Sequence, residues 1–282
     1  MDQVLVQTLN GLSLAGILAL VALGLGITFG LLGVINLAHG ELFMLGAYTV
    51  VFTYNATRHL WLGMAVAPLV VGLLGFAIER VVIKRLYARL FDTLLATWAL
   101  SILARQGVQL WTQGRFEGLP SPVHGSAHVL GVDYPLYRLF LLGVGAAVLA
   151  GAWGLLYRTR LGIRARAAIQ NREIASAMGV DVAMTDSLTF ALGAALAGLA
   201  GAFMSPLITI NPSMGLPFLA SSFFVVILGG AGSLLGVLVG SIIVGGAQAV
   251  ASFFINPVAA QLIVLGLSIV TLRVAPRGVL GK

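Results

Sequence analysis

The most polar point in the first third of the sequence combines an amide, an imidazole and a carboxylate. Asn36, His39 and Glu41 lie close together between two apolar stretches. One His and one Glu are fewer ligands than a metal ion normally takes, so no metal site is predicted. A hydrogen-bonded structural turn is the simpler interpretation, and a gate on a polar route is the functional alternative.

Further polar side chains interrupt stretches that are otherwise apolar. In a membrane such residues are costly, so they mark either helix contacts or a route for a polar solute. The predicted route residues are Asn36, His39, Glu41, Thr97, Trp98, Gln106, Asn211, Ser213, Ser221 and Ser222. For each Ser and Thr, a hydrogen bond to its own helix is the alternative. Arg105 should face the bundle, a cavity or a partner, and a structural ion pair and a solute contact fit equally well.

Motifs of bond chemistry are missing from the sequence. It has no G-x-S-x-G motif and no cysteine, and its only lysines, Lys84 and Lys282, lie outside any G-x-x-x-x-G-K-[ST] phosphate loop. We therefore expect no enzyme activity and no cofactor on this chain. If ATP drives the protein, ATP and Mg²⁺ bind to separate subunits.

The composition shows what kind of element must position these side chains. Hydrophobic residues make up 59% of the 282 residues and charged residues only 9%, against about 25% in soluble domains. Apolar stretches long enough for a bilayer predict an all-α, polytopic helix bundle. We predict one transmembrane domain over 1–282 with about 8–10 spans. The stretches cover 4–33, 42–55, 61–78, 93–112, 135–156, 184–208, 217–229, 234–254 and 258–274, and the short piece 217–229 is predicted to be a broken crossing.

Small residues recur at four-residue spacing in several stretches, at Gly26 and Gly30, at Gly193, Ala197 and Gly201, and at Gly236 and Gly240. Lipid gives helices no hydrophobic reason to associate, so this spacing predicts close helix packing.

The basic residues predict the orientation. Residues 79–92 hold four Lys or Arg, 158–181 hold five and the tail from 273 holds three, which makes twelve of sixteen. By the positive-inside rule these segments are cytoplasmic, and the polar loop 113–134 is external. The net charge of +7 therefore indicates a membrane protein rather than a partner of nucleic acid.

The segment 158–179 is much longer than a connector between two helices needs to be. It predicts one short cytoplasmic helix, about 164–179, closed by Gly179 as its C-cap. Such a helix suits docking in a groove of a partner, while a membrane-surface helix is the alternative. The predicted contacts with such a partner are Arg164, Ala167, Gln170, Asn171, Arg172, Glu173, Ile174, Met178 and Gly179.

Three segments together resemble the permease subunits of ABC importers of the branched-chain amino acid type: residues 34–48, 158–179 and 226–233. Segment 158–179 is similar to the helix that couples such permeases to the ATPase. Residues 94–101, 170–172 and 177–179, and the ending Pro276-Arg277-Gly278, look closer to the urea permease branch. An acidic residue expected shortly before Ser222 is absent, with Ala220-Ser221 in its place.

The resemblance implies a heteromeric importer in a bacterial cytoplasmic (inner) membrane. Its partners would be a second permease, two ATPase subunits and a periplasmic or lipid-anchored solute-binding protein, with lipid around the spans. Urea or a short amide is the expected solute, and a branched-chain or other amino acid is the alternative. A self-sufficient carrier or channel is the alternative of another class.

Overall fold

The computed structural model describes residues 2–87, 89–129, 131–230, 232–275 and 278–280. These residues form eleven α-helices, one 3₁₀ turn and a two-stranded antiparallel sheet. In chain order the elements are α1 Asp2–Leu32, α2 His39–Thr57, α3 Leu60–Val81, the 3₁₀ turn Ile83–Arg85, α4 Leu90–Thr112, β1 Ser126–Val129, β2 Val132–Pro135, α5 Leu136–Arg158, α6 Arg160–Gln170, α7 Arg172–Ala177, α8 Val182–Met204, α9 Gly215–Gly229, α10 Leu234–Phe254 and α11 Pro257–Val274.

The predicted helical membrane bundle is confirmed. Five helices of the described chain, α1, α3, α5, α8 and α10, are long and apolar enough to cross a membrane. The apolar helices α9 and α11 are shorter, and α2 and α4 carry the ionisable residues Glu41 and Arg105. The short piece predicted at 217–229 is α9, whose 15 residues extend about 22 Å at 1.5 Å per residue. The second stretch is longer than predicted, because α2 begins at His39.

Helix α8 lies at the centre of the bundle and packs on α3, α2 and α1. Glycines make this close approach possible. A Cβ on Gly46 of α2 would overlap the carbonyl oxygen of Gly198, and one on Gly201 would overlap that of Phe43. Gly24 and Gly193 touch in the same way between α1 and α8. The predicted role of small residues in helix packing is therefore confirmed at these contacts.

Helix α4 lies at the edge of the bundle, where its main neighbour is α2. Only four of its residues are buried, Thr93, Thr97, Ser101 and Val108. Large apolar side chains such as Phe91, Leu103 and Trp111 are exposed along the rest of the helix. This surface must face lipid or another protein in a membrane.

The bundle has two distinct ends, which α5 connects. The β1–β2 hairpin precedes α5, and α6 and α7 follow it. The 23 residues of α5 separate these ends by about 35 Å. We call them the hairpin end and the α6–α7 end. The loop before the hairpin also pairs with the segment after α8, through two backbone hydrogen bonds between Glu117 and Ile210 at 3.0 and 2.9 Å.

The prediction of a single helix at 164–179 is wrong, because the segment forms two helices, α6 and α7. The helix is interrupted at Asn171. The backbone of this residue is extended, and its side chain accepts a hydrogen bond from the Ile174 N–H at 3.0 Å. Asn171 therefore ends α6 and serves as the N-cap of α7, because its side chain satisfies a backbone donor that a helix start leaves free. The closing glycine is confirmed: Gly179 has φ +83° directly after the C-cap residue Met178.

The glycine turn after α9 is confirmed in its described part, where Gly230 and Gly232 have positive φ. Gly278 packs on Gly230, and the Val279 N–H donates to the Leu228 carbonyl at 2.8 Å. Ala231 of the turn and the tail residues Pro276, Arg277 and Lys282 lie outside the described residues.

Candidate solute passage and coupling segment

Hydrogen bonds within the turn at 36–41, and one contact between the turn and α1, hold the turn in place. The Asn36 Oδ1 atom accepts the Ala38 N–H at 3.0 Å, and His39 Nε2 lies 2.9 Å from the Val21 carbonyl oxygen on α1. A carbonyl only accepts, so Nε2 carries the proton. Within the described chain, Asn36 Nδ2 and His39 Nδ1 are buried without a hydrogen-bond partner.

Arg105 forms an ion pair inside the protein. Its Nη2 atom lies 2.6 Å from Glu41 Oε1, and Ser101 Oγ donates to the same oxygen at 3.0 Å. The Glu41 side chain is 2% exposed and that of Arg105 is 22% exposed. Of the two interpretations of Arg105, the structure shows the ion pair, which ties α4 to α2.

Thr97 also joins α4 to the turn. Its hydroxyl oxygen accepts the Leu37 N–H at 3.2 Å and lies 3.1 Å from the Ile35 carbonyl oxygen. Asn36, His39, Glu41 and Thr97 are therefore brought together around the start of α2. Trp98 and Gln106 are not, since both lie on the exposed side of α4.

The later route residues divide between the loop after α8 and helix α9. Asn211 Oδ1 accepts the Ser213 N–H at 3.0 Å in a local turn, and Ser213 is exposed. Ser221 and Ser222 are buried in α9, where Ser222 Oγ donates to the Phe218 carbonyl at 2.6 Å. Helix α9 lies against α2, because Gly215 and Gly40 touch through their backbones.

A cavity of about 540 Å³ with both polar and apolar walls lies near the hairpin end, between α1, the start of α5, the end of α8 with the segment after it, and α10. The polar side chains that line it are Gln7, Asn10, Ser13, Arg138, Gln248 and Ser252. None of them was predicted as a site residue. The available signal was spacing: Gln7 and Asn10 are three residues apart, and Gln248 and Ser252 are four apart, which places each pair on one side of a helix.

The segment α6–α7 exposes most of its side chains. Eight of the nine predicted ATPase contacts are exposed: Arg164, Gln170, Asn171, Arg172, Glu173, Ile174, Met178 and Gly179; Ala167 is partly buried. The face toward the bundle consists of small residues, Gly162, Ala165, Ala168 and Ala175. Because of the break at Asn171, the apolar side chains lie on two short helices rather than in one stripe.

One residue of α7 reaches from this surface into the bundle. Arg172 donates a hydrogen bond to the buried carboxylate of Asp186 on α8, and its guanidinium lies over the Tyr87 ring, 5.1 Å from the ring centre. The Tyr87 hydroxyl donates to Glu79 Oε1 of α3 at 3.1 Å. Glu79, fully buried, also accepts a hydrogen bond from Ser187 of α8.

The Tyr87 hydroxyl group keeps its proton. Burial, and after it the neighbouring Glu79 carboxylate, raises the pKa of Tyr87 far above its ordinary value. The phenol therefore stays protonated at any physiological pH and can donate to Glu79. The hydrogen bonds join α7, α8 and α3, and sequence patterns alone gave no indication of them.

The sequence of the whole bundle matches a known family. The model for the permease component of branched-chain amino acid transport systems matches residues 7–272. The chain belongs to this permease family.

Individual relatives cover nearly the full length of this permease. The high-affinity branched-chain amino acid transport permease LivH of Salmonella typhimurium is 29% identical and aligns over 98% of this chain and 95% of its own. The high-affinity branched-chain amino acid transport permease BraD of Pseudomonas aeruginosa is 28% identical and also aligns over 98% of this chain and 95% of its own. A probable LivH of Methanocaldococcus jannaschii is 29% identical over 95% of this chain and 89% of its own. No solved structure gives a significant match.

Among the substrates considered from sequence, these relatives favour the amino acid alternative over urea or a short amide. As a member of this family the permease is a transport subunit and not an enzyme. The roles of its individual residues stay predictions.

Proposed function

We propose that this permease forms the membrane passage of an ATP-driven importer for an aliphatic, branched-chain type amino acid. The observation that carries the proposal is the family match over 7–272, together with relatives of the same length named for branched-chain amino acid transport. Its partners would be a second permease, two ATPase subunits that bind ATP and Mg²⁺, and a periplasmic or lipid-anchored solute-binding protein. The complex would lie in the cytoplasmic membrane, with the α6–α7 end inside.

In this proposal α6–α7 docks on an ATPase subunit. Exposed apolar side chains such as Ile174 (59% exposed) and Met178 (80% exposed) are costly in water and suit a protein groove. Charged neighbours such as Arg164 and Glu173 would surround that contact. Movement of the docked segment would reach α8 through Arg172 and Asp186, and α8 packs on the helices of the bundle. Closure of the ATPases would thereby change the side to which the passage opens.

The test is solute uptake by a strain that lacks this gene, with and without the gene restored. Competition of labelled leucine uptake by isoleucine, valine, urea and acetamide identifies the substrate class. We expect the aliphatic amino acids to compete and urea and acetamide to have no effect. If only urea competed, the proposed aliphatic amino acid substrate would be wrong. Transport by the purified chain alone in liposomes without nucleotide would contradict the proposal that the chain is one subunit of an ATP-driven importer.

A further inference from the structure

Among the described residues, one charged side chain lines the cavity near the hairpin end. Arg138 projects from the first turn of α5, and within the described part of the chain no carboxylate lies within ion-pairing distance of it. A guanidinium is always charged and is expensive to keep in a partly buried place without an anion. Arg138 is only partly exposed. The cavity therefore offers a positive charge that nothing described in this chain neutralises.

The orientation of Arg138 is fixed by neutral groups. Its Nη1 atom donates a hydrogen bond to Asn10 Oδ1 on α1, and the Tyr134 hydroxyl donates to the same oxygen at 3.2 Å. Tyr134 itself is buried. One amide oxygen uses only one of the five N–H donors of a guanidinium, which leaves donors for the two oxygens of a carboxylate.

The rest of the cavity is amphipathic. The amides of Gln7 and Gln248 and the hydroxyls of Ser13 and Ser252 supply neutral oxygens, which can accept hydrogen bonds from an ammonium group. Apolar side chains from α1, the segment after α8 and α10 line the remainder, among them Ile17, Ile208 and Phe253. The volume of about 540 Å³ is in the ordinary range of small-molecule sites, about 300–1,000 Å³.

We infer that this cavity binds the solute on the hairpin side of the permease, and that Arg138 receives the carboxylate of an aliphatic α-amino acid. The ammonium group would meet the amide and hydroxyl oxygens, and the hydrocarbon side chain would lie on the apolar part. The inference rests on the proposed function for the identity of the solute and adds the site and its recognition. A neutral solute such as urea leaves the guanidinium without an anion, so this site discriminates against it.

The first experiment uses the wild-type permease assembled with its second permease and ATPases, without the solute-binding protein. Phenylglyoxal modifies accessible guanidinium groups, and mass spectrometry reads the modified fraction at each arginine. We expect leucine to slow modification of Arg138, and leucinamide, which lacks the carboxylate, and urea to leave it unchanged. Arg115 is the internal control, because it is exposed in the loop before the hairpin and does not line this cavity. Equal modification of Arg138 with and without leucine would overturn the site.

The second experiment compares Arg138→Gln with Arg115→Gln in leucine binding to the same complex in lipid nanodiscs. Loss of the charge-assisted hydrogen bonds predicts about ten- to hundred-fold weaker binding for Arg138→Gln and no change for Arg115→Gln. Equal binding by both variants would overturn the inference. If Arg138→Gln does not assemble, Ser252→Phe, which fills the cavity from α10, must weaken leucine binding, and unchanged binding overturns the site.

The failures of the two proposals are distinguishable. If the complete importer takes up leucine but leucine does not protect Arg138, the importer function stands and the site is wrong. If Arg138 is protected by leucine but no ATP-dependent uptake of amino acids occurs, the site stands and the proposed function is wrong.

Discussion

Arg172 on α7 donates a hydrogen bond to Asp186 on α8, and this contact joins an exposed residue to a buried one. The side chain of Arg172 is 49% exposed, whereas that of Asp186 is 3% exposed. A force on α7 therefore has a direct route into the central helix of the bundle. Tyr87, whose ring lies under the Arg172 guanidinium, donates a hydrogen bond to Glu79, so this set of contacts also includes α3.

Replacement of Arg172 by Ala should uncouple the ATPases from transport. The substitution leaves the Asp186 carboxylate buried without its partner, which costs more than the about 1–3 kcal/mol of a neutral buried group left unpaired. In the reconstituted importer we expect stimulation of ATP hydrolysis by the loaded binding protein to fall strongly, with basal hydrolysis retained. Arg160→Ala is the matched control on α6, since Arg160 is exposed and has no contact to Asp186.

The double variant Arg172→Ala/Asp186→Asn separates coupling from stability. Removal of the orphaned charge should restore thermal stability while stimulation stays low. If stimulation returned together with stability, the link from α7 to α8 would be structural only.

Replacement of Glu41 by Ala should destabilise the protein more than the loss of an ordinary surface charge. Arg105 would keep a partly buried charge without its ion-pair partner, and breaking a buried pair costs about 3–5 kcal/mol. Unfolding in mixed detergent micelles should therefore occur at lower denaturant. The double variant Glu41→Ala/Arg105→Ala should be more stable than Glu41→Ala alone. The single variant Arg105→Ala completes the comparison. If the double variant lost as much stability as the two single variants together, the ion pair would be excluded as a stabilising contact.

The sequence predicted the helices well because all the apolar stretches except 42–55 and 217–229 have the length that a bilayer demands. It did not pair Glu41 with Arg105, which are 64 residues apart, since the rotation and neighbours of each helix depend on packing. The break at Asn171 was missed although a signal existed: Asn is a good N-cap, and Glu173 follows in the first turn of the new helix. The cavity around Arg138 was missed because its lining residues come from four separate parts of the chain and only the fold brings them together.

Replacement of Gly46 by Ala should separate α2 from α8. The added methyl group would overlap the backbone of Gly198, which cannot move like a flexible side chain. Overpacking of this kind costs about 1–3 kcal/mol, so we expect a lower melting temperature in detergent and reduced transport. Gly154→Ala on α5 is the control, because its Cβ would meet nothing within 4 Å. A helical Gly→Ala change at an open position should be neutral or slightly stabilising. Equal behaviour of the two variants would contradict the close contact.

Replacement of Asn171 by Ala should loosen the start of α7. The Ile174 N–H would lose its acceptor, at a cost of about 1 kcal/mol for the helix. Faster hydrogen exchange of the α7 amides is the expected result. Asn171→Asp keeps a capping oxygen and should retain protection. Unchanged exchange in Asn171→Ala would mean that contacts with the bundle, rather than the cap, hold α7 in place.

The orientation can be tested directly because the sequence contains no cysteine, so each introduced thiol is the only one in the protein. We expect Arg164→Cys on α6 to react with a membrane-impermeant maleimide only in inside-out vesicles. Gly118→Cys, in the loop before the hairpin, should react only from the outer face of intact cells or spheroplasts. The reason is the distribution of Lys and Arg, which favours the α6–α7 end on the cytoplasmic side. Labelling of Arg164→Cys from outside would place the exposed α6–α7 surface away from any cytoplasmic ATPase, and the coupling role of Arg172 would then be untenable whatever its contact with Asp186.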